Sequence, residues 1–192
     1  MQKMTKIGIM GGTFDPIHYG HLIMAESARE AFRLDKILFV VSANPPHKPN
    51  EKIIDANIRH NMVAKAVKDN PFFEISDIEI KSKEKSYTFH TLTKLKELCA
   101  ENLEIYLIIG MDEAVSFTSW LKYEDIFNLA HVVCANRLGY NGIIHPKISL
   151  FDMPTIEISS SGIRDYISAK KSIKYLVPPE IENYITKKGL YI

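Results

Sequence analysis

Cysteine is scarce: Cys99 and Cys134 are the only two thiols in 192 residues, with no metal-ligand spacing between them. Each sits among apolar neighbours and is expected to be an inert buried thiol. Charge of one sign is missing as well. The 24 Lys and Arg nearly balance the 23 Asp and Glu, leaving +1. No global field therefore favours nucleic acid as a partner, and no basic stripe with interleaved aromatics is present. No stretch approaches the roughly 20 apolar residues that a membrane helix needs. The first apolar run, residues 7–10, is too short for a signal peptide and is interrupted by Gly11, Gly12 and Asp15. Repeats and low-complexity segments are absent too. These absences lead to the expectation of a soluble, cytoplasmic protein without membrane or nucleic-acid partners. Its length suits one packed domain. The pattern admits a homo-oligomer without fixing one.

What is present begins with Gly11-Gly12-Thr13-Phe14-Asp15-Pro16-Ile17-His18-Tyr19-Gly20-His21, between an apolar run and a segment of helical period. A strand, a glycine turn and a helix start make an anion site, where backbone N–H groups approach a phosphate and the helix N-terminus adds positive potential. The turn holds no lysine, which excludes the P-loop, and Gly8-x-x-Gly11-Gly12 does not supply Gly-x-Gly-x-x-Gly. His18 and His21, three residues apart, fall on one side of the first helical turn. Their spacing is not the i, i+4 of a helical zinc pair. We read them as donors aimed at a reacting phosphate rather than as caps or packing groups. Asp15 is expected to stabilise the loop ahead of Pro16 through an Asx turn.

Short β-branched runs alternate with helical patterns along the chain. Strands are expected at residues 6–10, 37–41, 72–80, 105–109 and 131–135. Helix faces are marked by Leu22, Ala25, Ala28 and Phe32, then by Ile58, Met62, Ala66 and Val67, then by Leu92, Leu95, Leu98 and Cys99. This alternation predicts an α/β fold, a doubly wound parallel sheet with ligands beyond the C-terminal ends of its strands. Gly11, Ser42, Gly110 and Asn136 all follow expected strands. From about Asp152 the pattern turns helical. Ser160 or Ser161 could cap one helix, and Pro178-Pro179 starts another. Residues 152–192 are thus expected to form a small helical C-terminal subdomain within a single domain, 1–192. Residues 44–52 and 139–147 are expected to be loops.

The first motif resembles the signature of the nucleotidyltransferase superfamily that carries a Thr/His-x-Gly-His motif, whose Rossmann-like fold agrees with the strand–helix alternation. Three further segments narrow the likeness to bacterial nicotinate-nucleotide adenylyltransferases. Ser42-Ala43-Asn44-Pro45-Pro46-His47-Lys48 resembles their second loop. Ile109-Gly110-Met111-Asp112, with Phe117 and Trp120, resembles their pyridine site. Ile158-Ser159-Ser160-Ser161-Gly162-Ile163-Arg164 resembles their C-terminal phosphate motif. The likeness runs in order from about Lys6 onward. One departure is Arg137-Leu138-Gly139, where the family often has Arg-Pro-Gly; leucine frees the φ that proline would lock.

The resemblance implies adenylyl transfer from ATP to nicotinate mononucleotide, giving deamido-NAD and pyrophosphate in NAD biosynthesis. Such a reaction needs positioning and positive electrostatics, with no covalent intermediate. His18 and His21 would be catalytic. Gly11, Gly12, Thr13, Phe14, Lys48, Arg137, Ser160 and Arg164 would bind ATP. Thr88, Asp112 and Trp120 would bind the pyridine nucleotide, Trp120 by stacking, Asp112 through a ribose hydroxyl, and backbone N–H groups near Thr88 and Trp120 by holding the carboxylate. Mg²⁺ would be held mainly by substrate phosphates, with no protein metal site. A phosphopantetheine adenylyltransferase or cytidylyltransferase would share the first motif but not the second loop or Trp120. A nucleotide-sensing module without turnover would be expected to have lost the histidines.

Overall fold

The computed structural model describes residues 4–45, 53–82, 85–98, 102–136 and 143–192. Six parallel strands form one sheet: β1 (Thr5–Gly12), β2 (Lys36–Val41), β3 (Phe73–Ser76), β4 (Leu103–Ile109), β5 (His131–Ala135) and β6 (Ser149–Phe151). Their order is β3-β2-β1-β4-β5-β6. Ile9 pairs with Leu38 on one side and Leu107 on the other. The chain winds outward from β1 in one direction, then returns to β4 and winds in the other. The crevice at that reversal, outside the carboxyl ends of β1 and β4, is where this topology places ligands.

The strands read as near-continuous apolar runs because both faces are covered. Successive residues serve opposite cores. Met10, Phe39, Val41, Ile108 and Val133 join one buried cluster; Ile9, Val40, Leu107, Ile109 and Val132 join the other. The first cluster is covered by α1 (Tyr19–Phe32), α2 (Ala56–Val67), α6 (Ser160–Ser168) and α7 (Pro179–Lys188). The second is covered by α3 (Thr88–Leu98), α4 (Met111–Ser116), a 3₁₀ turn (Phe117–Ser119) and α5 (Tyr123–Leu129). Each fully buried Ile or Phe contributes about 1.5–3 kcal/mol through the water it leaves. On α1 the buried residues are small, Gly20, Ala25 and Ala28, which brings the helix close to the sheet. Ile163, Ile181 and Ile185 of α6 and α7 share one core with the strands.

Several sequence expectations shift. The third strand was expected over residues 72–80 but ends at Ser76, where a turn closes with Lys81 N–H donating to the Asp77 carbonyl. Strand β6 and the α4–3₁₀–α5 run were not expected: three to seven residues carry too little periodicity to read. On α2 the buried face includes Arg59 and Val63 beside Met62 and Val67. Leu98, expected on a core face, is 70% exposed at the end of α3. Neither Ser160 nor Ser161 caps α6; Ser159 does, its hydroxyl accepting the Gly162 N–H at 3.1 Å. Cys134 is buried, and desolvation pushes its thiol up to about 12, in keeping with an inert role. Cys99 lies outside the described residues.

Candidate active site

A cleft of about 950 Å³ opens over the carboxyl ends of β1 and β4. One end is the turn after β1, the other the segment after β4. It brings together His18, His21, Ser160 and Arg164 with Thr88, Asp112 and Trp120. Of the ATP-site candidates, Lys48 and Arg137 lie outside the described residues, as do His47 and Leu138.

At the turn, a Cβ placed on Gly11 would meet no atom within 4 Å, so the backbone there faces open cleft and a ligand can approach closely. Gly12 has a different reason. A Cβ there would strike the Phe14 ring at 2.9–3.1 Å. Phe14 adopts a left-handed φ of 49° and is 2% exposed, packed on Phe39 and edge-on to His21. Its side chain is therefore a wedge under the loop, which leaves mainly backbone for a ligand. A left-handed non-glycine residue costs about 1–3 kcal/mol and persists where its surroundings over-determine it.

They do so here. Arg59, 1% exposed, donates to the Thr13 carbonyl at 2.6 Å and to the Ile54 carbonyl at 2.7 Å. Burial lowers its pKa, while the nearby Asp15 charge supports the cation. Arg164 donates to the Asp15 carbonyl at 2.8 Å, and the Ser160 hydroxyl donates to the Pro16 carbonyl at 2.9 Å. The Asp15 carboxylate, 4% exposed, accepts the Tyr191 hydroxyl at 2.7 Å. The Asx turn expected at Asp15 is thus replaced by a long-range bond. Ser160 gives its only proton to the loop, so its hydroxyl is an anchor that can still accept. Arg59 and Tyr191 were not singled out from the sequence, because their partners lie 46 and 176 positions away.

His18 is the N-cap of α1 and His21 its third residue. Their rings stack with centroids 3.7 Å apart. His21 Nδ1 accepts the His18 backbone N–H at 3.3 Å, so its proton resides on Nε2. Burial lowers the His18 pKa to about 4 and carries that of His21 well below its ordinary value, His18 adding to the latter. Both imidazoles are neutral near pH 7, each with one N–H to donate. His18 Nδ1 is buried without a partner. Gly20 permits this packing: a Cβ there would lie 3.0 Å from the His18 ring.

The other end of the cleft is built locally. Gly110 caps α4, and its N–H is taken by Glu113 at 2.7 Å. Glu113 opens onto the cleft yet is hemmed in by protein, and that desolvation raises its pKa. Asp112, one residue earlier, is exposed, lines the cleft and is not the cap. Trp120 packs on Phe117, centroids 5.1 Å apart. The Trp120 N–H itself donates to the Phe117 carbonyl at 3.0 Å, so a carboxylate donor near Trp120 would come from a neighbouring N–H of the same segment. Thr88 opens α3, where a first-turn N–H has no carbonyl partner within the helix. Two bonds of 3.0 Å tie Ser86 to Asn44, so the loop after β2 holds the entrance to α3.

A family model described as cytidylyltransferase-like matches residues 9–166, from β1 through most of α6. A relative from Desulfitobacterium hafniense (strain Y51), named "Probable nicotinate-nucleotide adenylyltransferase", is 42% identical over 97% of this chain and 95% of its own. One of the same name from Thermoanaerobacter sp. (strain X514) is 38% identical over 100% and 96%. Among solved structures, the Plasmodium falciparum nicotinic acid mononucleotide adenylyltransferase complexed with NaAD superposes with a TM-score of 0.81 at 24% identity, covering 97% of both chains. That likeness shows the shared α/β fold. With this extent of identity across its length, the chain belongs to the nicotinate-nucleotide adenylyltransferase family of the cytidylyltransferase-like proteins.

Proposed function

We infer that this protein transfers the adenylyl group of ATP to nicotinate mononucleotide, giving deamido-NAD and pyrophosphate in NAD biosynthesis. The observation that carries this reading is the stacked pair of neutral histidines, held at the mouth of an open glycine turn in the same cleft as Trp120. The solved Plasmodium relative is titled as a complex with NaAD, and another structure of it as a complex with APC. Both titles agree with a nucleotide laid along this cleft.

In the reaction, a phosphate oxygen of the mononucleotide forms a bond to the α-phosphorus of ATP as the bond to the bridging oxygen of pyrophosphate breaks. No side chain need act as nucleophile. His21, with its proton on Nε2, donates to the α-phosphate as charge shifts, and His18 stands beside it. Being neutral, the pair adds no cation that would have to be desolvated, and its donors are fixed before substrate arrives. Arg164 supplies full positive charge at the β- and γ-phosphates, joined by the first N–H groups of α6. Gly11, Gly12 and Thr13 offer backbone to the same triphosphate. Trp120 stacks on the pyridine ring, the α3 N–H at Thr88 meets its carboxylate, and Asp112 takes a ribose hydroxyl.

Mg²⁺ enters with ATP in this reading. Among the described residues no group of three or more His, Cys, Asp or Glu stands where it could hold a metal. Asp15 is engaged by Tyr191. When bound, the ion would neutralise phosphate charge on the leaving pyrophosphate. Among the described residues no helix is long and apolar enough to cross a membrane, and we place the enzyme in the cytoplasm beside its soluble substrates.

The test is pyrophosphate release with MgATP and, in turn, nicotinate mononucleotide, nicotinamide mononucleotide and phosphopantetheine. Preference for the first supports the reaction and the acid-recognising site together. Preference for phosphopantetheine, or no turnover with any acceptor, overturns the reading.

A further inference from the structure

The Asp15 carboxylate sits beside the proposed triphosphate site, where an unrestrained negative charge would repel the substrate. Two guanidiniums lie near it. Arg59 is wholly buried, with its N–H groups on the Thr13 and Ile54 carbonyls. Arg164 lines the cleft and donates to the Asp15 main-chain carbonyl. The group that takes the carboxylate itself is the hydroxyl of Tyr191, at 2.7 Å. Tyr191 reaches it because α7 stops at Gly189, whose left-handed φ of 58° reverses the chain. The Leu190 N–H then closes on the Ile185 carbonyl at 3.1 Å, and Leu190 and Tyr191 pack against the core beside α2 and α6.

We propose that Tyr191 is a positioning residue for adenylyl transfer: its hydroxyl holds the Asp15 carboxylate away from Arg164 and so keeps that guanidinium, and the turn bearing His18 and His21, set for the triphosphate. This rests on the function inferred above. It explains why the loop needs an anchor from an element so remote in sequence. Arg59 feels the charge of the Asp15 carboxylate, and both guanidiniums act on the Tyr191 hydroxyl that holds it. With Asp15 held by a neutral donor and Arg59 committed to carbonyls, the surplus positive charge falls on Arg164, the one that lines the cleft. Without the hydroxyl, the carboxylate is free to turn onto Arg164, which neutralises the charge meant for substrate and drags the Asp15-Pro16 backbone with it. Hydroxyl loss must therefore act on the nucleotide end and spare the pyridine end, which different elements build.

Tyr191→Phe keeps the ring and its packing and removes only the hydroxyl. Steady-state kinetics should show KM for ATP raised about tenfold and kcat lowered several-fold, the size expected for one charge-assisted hydrogen bond. KM for nicotinate mononucleotide should stay within twofold. Tyr191→Ala should show the same split, enlarged. A purely structural tyrosine would instead lower Tm and raise both KM values alike, or leave Tyr191→Phe unchanged; either result overturns the proposal. Calorimetric titration of MgATP into both proteins adds a readout without turnover. Unaltered kinetics in Tyr191→Phe with an active wild type defeat this inference alone. A wild type inactive with every pyridine nucleotide defeats the functional reading, and the ATP titration then decides whether Tyr191 still sets the phosphate site.

Discussion

The two ends of the cleft are held by opposite strategies. The turn after β1 is pinned by hydrogen bonds that span 46, 144, 149 and 176 positions, from Arg59, Ser160, Arg164 and Tyr191. The segment after β4 is pinned by bonds that span three or four: Gly110 to Glu113, Ser116 to Asp112, Ser119 to Ser116, Trp120 to Phe117. The difference follows from the tasks. Transfer at phosphorus depends on donors held within a fraction of an ångström of the developing charge, and misplacement of 1 Å can cost a hundredfold. A left-handed Phe14 and two desolvated imidazoles are also unfavourable locally, so the rest of the fold must hold them. Recognition of a ring by stacking tolerates more play, and a six-residue helix with a 3₁₀ turn suffices.

Arg59 tests that contrast most severely. Arg59→Met leaves the Thr13 and Ile54 carbonyls without their buried donor, a loss of about 1–3 kcal/mol for each group left unsatisfied. In a chain of this size that lowers Tm by about 10 °C. Scanning calorimetry reads the stability, and Trp120 fluorescence reads mononucleotide binding in the folded variant. Binding that survives while MgATP affinity collapses supports two separately built ends; equal loss of both would merge them. Next is His21→Ala, expected to cut kcat by about 10²–10³-fold with little change in KM for ATP, as for one lost transition-state donor. A raised KM with kcat intact would make His21 a binding group only.

The same contrast decides what could be read beforehand. The strands and the doubly wound topology were legible because buried parallel strands are apolar throughout and helices keep their period. The glycine turn and both histidines were legible because one short segment contains them. Arg59 was not: on α2 it looks like a solvated charge, and only folding brings the Thr13 carbonyl to it. Tyr191 was hidden for the same reason. At the other end, α4 and the 3₁₀ turn were too short for periodicity, and the turn bond that engages the Trp120 N–H leaves no trace in composition. Strand β6 escaped because it has three residues and an exposed Leu150.

The histidines make a further test, through pH. In the folded protein His18 stays neutral down to about 4, whereas the unfolded chain protonates it below about 6.5. Between those values the unfolded state binds more protons, so stability is complete above pH 6.5 and declines as pH falls toward 4. The full window corresponds to up to about 3 kcal/mol. His18→Gln should flatten the fall of Tm between pH 6.5 and 4.5, leaving the share due to His21. Parallel curves for wild type and variant would show that His18 is not held neutral.

Trp120 carries the smallest expected effect and the sharpest separation of the two ends. Trp120 is half-buried, packed on Phe117 and the core around it, with a place in the cleft wall. Stacking of a base on an aromatic side chain is worth about 1–3 kcal/mol by alanine substitution, so Trp120→Ala should raise KM for nicotinate mononucleotide by about tenfold or more. KM for ATP should move less than twofold, because no element that holds the phosphate turn is touched. Trp120→Phe should recover much of the loss, since a smaller ring still offers a face above Phe117. The pattern mirrors that expected of Tyr191→Phe, which should burden ATP and spare the pyridine nucleotide. Were both substitutions to raise both KM values equally, the cleft would behave as one mechanical unit, and the contrast between long-range and local anchoring would have no kinetic meaning.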